Sequence, residues 1–371
     1  MGNLNMEEIR EKVASQFAME GTLKEVAVFG NGHINDTLRA TCELPEGGTK
    51  RYIVQRMNDG IFKNPDELME NVMNVTSFLP KKIIAAGGDP DRETLNVIPT
   101  KDGKNYLTDE NGDFWRCYIF IEDATSFDQV EKPEDFYNSA VAFGNFQRLL
   151  ADYPAATLHE TIKNFHNTVS RFADFKKAVE EDVAGRAKDV QKEIQFVLDR
   201  EADCHVICDA LAKGEIPLRV THNDTKLNNI MIDNRTGKGL CVIDLDTVMP
   251  GSSLYDYGDS IRFGASTGAE DEQNLDLIWC DLELFEIYTK GYVEGCGGSL
   301  TEKEIRMMPM GAKLMTLECG MRFLADHLQN DIYYKIHREN HNLDRARTQF
   351  KLVADMEAKW DKMNKIVEKY I

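Results

Sequence analysis

The chain has 371 residues, enough for one large two-lobed enzyme with a sizeable buried core. Hydrophobic residues make up 42% and charged residues 29%, which excludes the disordered and collagen-like classes. Asp and Glu outnumber Lys and Arg by 63 to 44, a formal net charge of -19 with no long basic run, so a nucleic-acid partner is not expected.

No window approaches the ~18 consecutive apolar residues of a membrane span. The opening Met1-Gly2-Asn3-Leu4-Asn5-Met6-Glu7-Glu8 lacks the basic-then-apolar order of a signal peptide. The expectation is a cytoplasmic protein with no membrane partner. The eight cysteines, from Cys42 to Cys319, are scattered without a CxxC pair and read as reduced, mostly buried thiols.

In chain order, the first twenty residues carry Ile9, Val13 and Phe17 at helical spacing, with Gly21 as the stop. From 25 to 57 the period shortens, and turns at Gly30-Asn31-Gly32-His33 and Gly47-Gly48 divide three short antiparallel strands, the last Tyr52-Ile53-Val54-Gln55-Arg56-Met57. Asn64-Pro65-Asp66-Glu67 is a helix start, followed by Leu68, Val72, Val75 and Leu79. Strands are expected at Leu95 to Pro99, around Tyr106-Leu107 and at Asp113 to Ile121, the last two joined through Asn111-Gly112. After Glu122 the pattern turns helical, over Phe136 to Leu150, Val169 to Val183 and a long charged stretch from Arg186 to Lys213. Strands return once, in Leu218 to Val248, before helices over Glu270 to Val293, Thr301 to Gln329 and Leu343 to Glu368. The chain thus divides into a strand-rich lobe, 1–121, and a mostly helical lobe, 122–371, an α+β arrangement.

The chemistry concentrates in Thr221-His222-Asn223-Asp224-Thr225-Lys226-Leu227-Asn228-Asn229 and the following Cys241-Val242-Ile243-Asp244-Leu245-Asp246. A loop Asp, an Asn five positions on, and a second Asp closing the next hairpin offer three convergent oxygen groups. Phosphoryl transfer needs such a set: one carboxylate to position and deprotonate the attacking hydroxyl, and oxygen ligands to hold Mg²⁺ against the phosphates. Asp224 fits the first role, and Asn229 and Asp244 the second. Taken singly, Asp224 and Asn229 also read as Asx turns and Asp244 as the cap of a turn; the joint spacing favours chemistry. His222 reads as a support for the loop. Asp246 either adds to the metal site or fixes its own loop. At the position where protein kinases carry a strand Lys facing the nucleotide stands Gln55. Either Gln55 meets phosphate as a neutral donor, or a cation from elsewhere takes the charge.

His222-x-Asp224 to Asn229 and Ile243-Asp244 resemble the catalytic and metal loops of the aminoglycoside phosphotransferase and choline kinase superfamily, small-molecule relatives of the protein kinases. The longer runs, Gly32-His33-Ile34-Asn35, those around Asp224 and Arg262, and Glu318 to Asp326 with Arg322, are similar to the N-acetylhexosamine 1-kinase group within it. The resemblance implies a protein-kinase-like two-lobed α+β fold with a small β-rich N-terminal lobe and a larger, mostly helical C-terminal lobe. It implies ATP-dependent, Mg²⁺-supported phosphorylation of the anomeric C1 hydroxyl of N-acetylglucosamine or N-acetylgalactosamine. Asp224 would act on that hydroxyl, and His33, Arg322 and Tyr333 would line the sugar. Gly30, Gly32, Gln55 and Asn229 would meet the nucleotide, Phe120 and Glu122 would meet adenine through backbone, and Asn229 and Asp244 would bind Mg²⁺. Arg322, in an otherwise apolar helix, needs a partner: Glu318 or Asp326 as an ion pair, or the sugar itself. Asp256, Asp259 and Arg262, in a turn after the metal loop, would buttress the catalytic loop. The alternatives are a kinase of homoserine, choline or an aminoglycoside, and a non-catalytic pseudokinase.

Overall fold

The computed structural model describes residues 6–30, 36–127 and 132–371, grouped into two compact units. The first runs to Thr125 and takes in Leu158–Ile162 and Met231–Val248; the second holds Ser126–Thr157, Lys163–Ile230 and Met249–Ile371.

In the first unit, α1 (Met6–Ala14) is shorter than its apolar spacing suggests. Phe17 leaves the helix to form a bridge with Thr100, and the Ala18 amide donates to the Pro99 carbonyl at 2.8 Å, so sheet pairing ends the helix before Gly21. Strands β1 (Thr22–Val28), β2 (Asp36–Glu43) and β3 (Thr49–Arg56) follow as an antiparallel meander, its second turn made by Gly47 and Gly48 at positive φ. Helix α2 (Pro65–Ala85) begins where the Asn64 side chain accepts from the Glu67 amide at 3.3 Å. A short α3 (Pro90–Glu93) precedes β4 (Val97–Ile98), β5 (Leu107–Thr108) and β6 (Phe114–Ile119). The sheet runs β1-β2-β3-β6-β4, with β5 on β6. One face of it buries Leu38, Ala40, Tyr52, Val54, Trp115 and Cys117 against Val13 and Phe17. The β3–β6 register sets Gln55 opposite Arg116. A second, small sheet orders β10 (Gly239–Val242), β9 (Ile230–Asp233) and β7 (Ala124–Thr125).

The second unit is helical apart from the ladder of β8 (Arg219–Thr221) with β11 (Met249–Gly251). Its helices are α4 (Pro133–Leu149), α5 (Thr168–Glu181), α6 (Gln191–Leu198), α7 (Glu201–Ala212), α8 (Ser253–Gly264), α9 (Leu282–Cys296), α10 (Glu302–Arg306), α11 (Met308–Leu328), α12 (His341–Ala358) and α13 (Trp360–Val367). Helix α11, buried on most of its surface, is packed on by α5, α8 and α12, while α4 lies along α9. Among the described residues, no helix is long and apolar enough to cross a membrane.

Three expectations are corrected here. The stretch Arg186 to Lys213 is two helices, because Arg200 donates to the Phe196 carbonyl at 2.7 Å and reaches Glu357 with its other nitrogens, closing α6 where a continuous helix would run on. The segment Leu254 to Asp259, read as a turn, lies inside α8, whose N-cap is Ser252. The helix expected from Glu270 starts only at Leu282, where Asp281 accepts from the Glu283 and Leu284 amides; Ser266 and Cys280 pair as a bridge before it.

Candidate active site

In the second unit, β8 delivers the chain into the loop that carries Asp224. The strand is anchored by Arg219, whose Nε and Nη2 donate to the two Glu304 carboxylate oxygens at 2.6 and 2.8 Å in a buried bidentate pair. His222 follows, fully buried with its ring edge-on to Phe143 and Phe146, and its Nδ1 accepts from the Asp224 amide at 3.3 Å. It is a supporting group by geometry, as its sequence context suggested. Asp256, on α8, accepts from the His222 amide at 2.9 Å, the Asn223 amide at 2.8 Å and the Gln147 side chain at 3.0 Å. Its carbonyl takes the Thr225 hydroxyl at 2.7 Å. The buried carboxylate therefore fixes the loop from below, with Asn223 turned into the left-handed region at φ 64°. Asp259 pairs with Arg262, which also reaches Glu270 at 2.8 Å. The field of Arg262, opposing its burial, holds the Asp259 carboxyl below the usual carboxylate range.

The carboxylate so presented is Asp224. Its Oδ1 lies 2.9 Å from the Lys226 ammonium and its Oδ2 accepts from the Asn229 amide nitrogen at 3.1 Å. Burial works against the Lys226 charge, but Asp224 outweighs it and the ammonium titrates above its ordinary value. Asn229 also donates to the Asp224 carbonyl at 2.8 Å, so its NH₂ faces the loop.

The remaining candidates lie in the first unit. Asp244 sits in the left-handed region at φ 56° and opens the short helical turn Leu245–Thr247. The far end of that turn is tied down by Asn71, whose amide nitrogen donates to the Val248 carbonyl at 3.1 Å. Asp246 is buried beside Arg116, a residue that the sequence reading passed over. Gln55 Oε1 accepts from Arg116 Nε at 3.1 Å and Nη2 at 2.7 Å, while Gln55 Nε2 donates to Thr37 at 3.1 Å. The signal was present: one Arg inside the apolar run Phe114-Trp115-Arg116-Cys117-Tyr118-Ile119 has to find an acid. Gly30 takes φ 78°, a backbone conformation that favours glycine. His33 and Gly32 fall outside the described residues. Exposed Phe29, next to Gly30, meets the half-buried Phe120 edge to face at 5.5 Å, a contact the sequence does not announce. The Phe120 amide donates to the Arg51 carbonyl at 3.1 Å and the Glu122 carbonyl accepts from Arg92 at 3.0 Å, so these two backbone groups are engaged. Among the described residues, no three or more His, Cys, Asp or Glu side chains gather into a metal cluster. Of the two expected metal ligands, Asn229 belongs to the second unit and Asp244 to the first.

Arg322 lies on α11 of the second unit. Its ion-pair partner is Glu318, at 3.8 Å, which His166 also contacts at 3.0 Å. Asp326 is not that partner: it accepts from the Ile332, Tyr333 and Tyr334 amides and from Asn342, pinning the loop after the helix. The guanidinium stands over the rings of Phe165, Tyr333 and Tyr334 at 5.6 to 5.9 Å. It borders a cavity of about 280 Å³ lined by Arg171, Asp174, Lys177, Tyr333 and Tyr334 among others.

Comparison with known proteins follows the same lines. The model of the phosphotransferase enzyme family (APH) matches residues 25–280. Among solved structures, a microcompartment-associated aminopropanol kinase is 14% identical with a TM-score of 0.58, over 96% of this chain and 98% of that one. An aminoglycoside phosphotransferase from Alicyclobacillus acidocaldarius is 11% identical with a TM-score of 0.59, over 100% and 98%. An amicoumacin kinase in complex with AMP-PNP, Ca²⁺ and Ami is 10% identical with a TM-score of 0.60, over 96% and 94%. These likenesses establish the kinase-like α+β fold, and with the family match over more than half its length the chain belongs to the phosphotransferase enzyme family.

Proposed function

We propose that this protein is an ATP- and Mg²⁺-dependent kinase that phosphorylates the anomeric C1 hydroxyl of N-acetylhexosamines, acting in the cytoplasm. The observation that carries the reading is Asp224, held by Asn229 and Lys226 on a loop whose start is fixed by the buried Asp256. Asp224 accepts the C1 hydroxyl proton as that oxygen bonds to the γ-phosphorus and the bond to the β-γ bridging oxygen breaks, releasing ADP. An anomeric hydroxyl is more acidic than an ordinary alcohol, so a carboxylate suffices as base and positioning does much of the work. Mg²⁺, when bound, neutralises charge on the β- and γ-phosphates. Asn229 and Asp244 supply oxygen ligands for it. The turn at Gly30, the Gln55 side chain and the Phe29–Phe120 pair belong to the nucleotide, with adenine at the remaining backbone groups of Phe120 to Glu122. The amicoumacin kinase's AMP-PNP and Ca²⁺ support nucleotide and divalent-ion use on this fold. Eight free cysteines suit a reducing compartment.

The sugar is assigned to Arg322 and Tyr333. The aminopropanol and ethanolamine kinases among the similar structures favour an amino-alcohol acceptor as the second reading. The cavity lining leans the other way: Arg171, Lys177 and Arg322 are set against Asp174 and Asp326, and the Asp326 carboxylate accepts from three backbone amides and Asn342, which leaves Asp174 as the carboxylate open to an ammonium.

The test is an ADP-release assay with ATP and Mg²⁺ across N-acetylglucosamine, N-acetylgalactosamine, homoserine, ethanolamine, choline and kanamycin, with phosphorus NMR of the product. A sugar 1-phosphate is expected, and Asp224→Asn should abolish turnover while nucleotide still binds. Turnover confined to the amino alcohols would replace the sugar reading. Binding of ATP without turnover on any acceptor would move the pseudokinase reading to first place.

A further inference from the structure

A kinase-like nucleotide unit needs a buried positive charge beside its metal-bearing turn, and β3 offers none, since Gln55 occupies the place. The strand next to it does. Arg116 on β6 lies directly across from Gln55 in the β3–β6 ladder and is fully buried. Its guanidinium forms a fork: Nε and Nη2 take the Gln55 carbonyl oxygen at 3.1 and 2.7 Å, and Nη1 contacts the Asp246 carboxylate. The Tyr118 ring lies 5.3 Å from the guanidinium carbon. Asp246 is in the same short turn as Asp244, whose backbone is held left-handed at φ 56°. Burial disfavours the Arg116 charge, but the fields of Asp246, Tyr118 and Asp244 override it and push its proton affinity above the ordinary range.

We propose that Arg116 is the positioning residue of the metal site: from β6, and through Asp246, it fixes the turn on which Asp244 meets the metal. The proposal rests on the kinase reading above. Three features favour this role over a bare ion pair. The guanidinium uses its planar fork to tie two strands and one turn together, which a point charge cannot do. A buried pair gives little net stability by itself, so its retention beside Asp244 calls for a positional account. Finally, the opposite end of the same turn is separately pinned by Asn71, so Arg116 supplies the second of two buried restraints.

The test is direct binding of Mn²⁺ and ADP, which requires no acceptor. Electron paramagnetic resonance of Mn²⁺ gives the metal affinity of the ADP complex, and calorimetry gives ADP affinity without metal. Groups that orient a ligand set typically change metal affinity by roughly 10- to 100-fold when removed. Arg116→Met is expected to weaken Mn²⁺ in the ADP complex by that factor while metal-free ADP affinity stays within about twofold. Arg116→Lys keeps the charge but not the fork, and is expected to fall between, about threefold or more below wild type. If Arg116→Met does not fold, Arg116→Lys carries the test. Wild-type Mn²⁺ affinity in Arg116→Lys, or equal losses of metal-dependent and metal-free ADP binding in either variant, would overturn the positioning role while leaving the kinase reading intact. A wild-type protein that binds no Mn²⁺ with ADP would overturn both.

Discussion

Glu304→Gln is the sharpest single test of how the strand that leads into the Asp224 loop is held. Glu304 is fully buried and accepts five hydrogen bonds, two from Arg219, two from the Thr301 amide and hydroxyl, and one from the Ser253 hydroxyl. Gln keeps the volume and one carbonyl oxygen but removes the charge, leaving the buried Arg219 guanidinium with neutral acceptors, the Ser299 carbonyl among them. Breaking a buried pair in this way costs about 3–5 kcal/mol, a large part of the ~5–15 kcal/mol that holds a folded protein. With a urea slope of roughly 3 kcal/mol/M, the midpoint at pH 7 should fall by about 1 to 1.7 M, read by far-UV circular dichroism. The pH dependence follows from the same contacts: although burial favours the neutral acid, the bonds from Arg219 and Thr301 hold the Glu304 pKa below its ordinary value. A lowered carboxyl pKa contributes stability above the unfolded value of ~4.3, and this is lost as pH falls through the folded value. Wild type should therefore lose stability below about pH 4.3 more steeply than Glu304→Gln does. Pairing Arg219→Met with Glu304→Leu should recover at least half of the lost midpoint, since no charge is then stranded. A Glu304→Gln midpoint within ~0.3 M of wild type, or a double variant worse than the single one, would refute the reasoning.

Other expectations are equally concrete. Asp256→Asn replaces a carboxylate that accepts from His222, Asn223 and Gln147, at roughly 1.5–3 kcal/mol for each charge-assisted bond weakened; turnover should drop by more than tenfold while metal-free ADP affinity, measured by calorimetry, is kept. Gly258→Ala places a Cβ 2.2 Å from the Gly311 carbonyl oxygen, so α8 and α11 must part; a cost of about 1–3 kcal/mol should appear as a lower calorimetric Tm, and an unchanged Tm would mean the helices are not in this contact. Arg322→Leu should raise the sugar KM by more than an order of magnitude with the ATP KM unchanged, and equal effects on both would sever Arg322 from the acceptor. Asp326→Ala frees the Ile332, Tyr333 and Tyr334 amides, and hydrogen exchange by mass spectrometry should rise in that loop first.

What the sequence made legible was what periodicity and spacing carry. The three-strand meander, the Asn64 cap, the Asn111-Gly112 hairpin and the Asp224-to-Asn229 loop depend on near neighbours, and each stands in the structure where its residues predict. The misses share a cause: a distant group decided them. The Arg186 to Lys213 stretch has helical character throughout, yet Glu357, far along the chain, draws Arg200 aside and breaks it. The acid turn that the resemblance implies lies inside helix α8, where Asp256 is turned inward by three donors of which two come from the Asp224 loop. Lys226 drew no comment in sequence, since a Lys in a polar loop is ordinary until a carboxylate is found 2.9 Å away.

The Gln55 question shows most clearly why a motif can be absent in sequence and its charge present in space. Directly opposed residues of an antiparallel ladder hold their Cβ atoms about 5 Å apart, and an Arg side chain reaches farther than that. A cation can therefore move from one strand to its neighbour and still place its head beside the same groups, provided the vacated position receives a side chain that accepts from it. Gln55 meets that condition, since its carbonyl oxygen takes two guanidinium hydrogens while its NH₂ binds Thr37. A Lys at 55 would face Arg116 across the ladder with like charge. Gln at 55 and Arg at 116 thus form a matched pair, so restoring the strand lysine by Gln55→Lys should weaken Mn²⁺ binding in the ADP complex rather than improve it. Improved binding in that variant would show that the β3 position is an empty cation site, and the argument for Arg116 would fall.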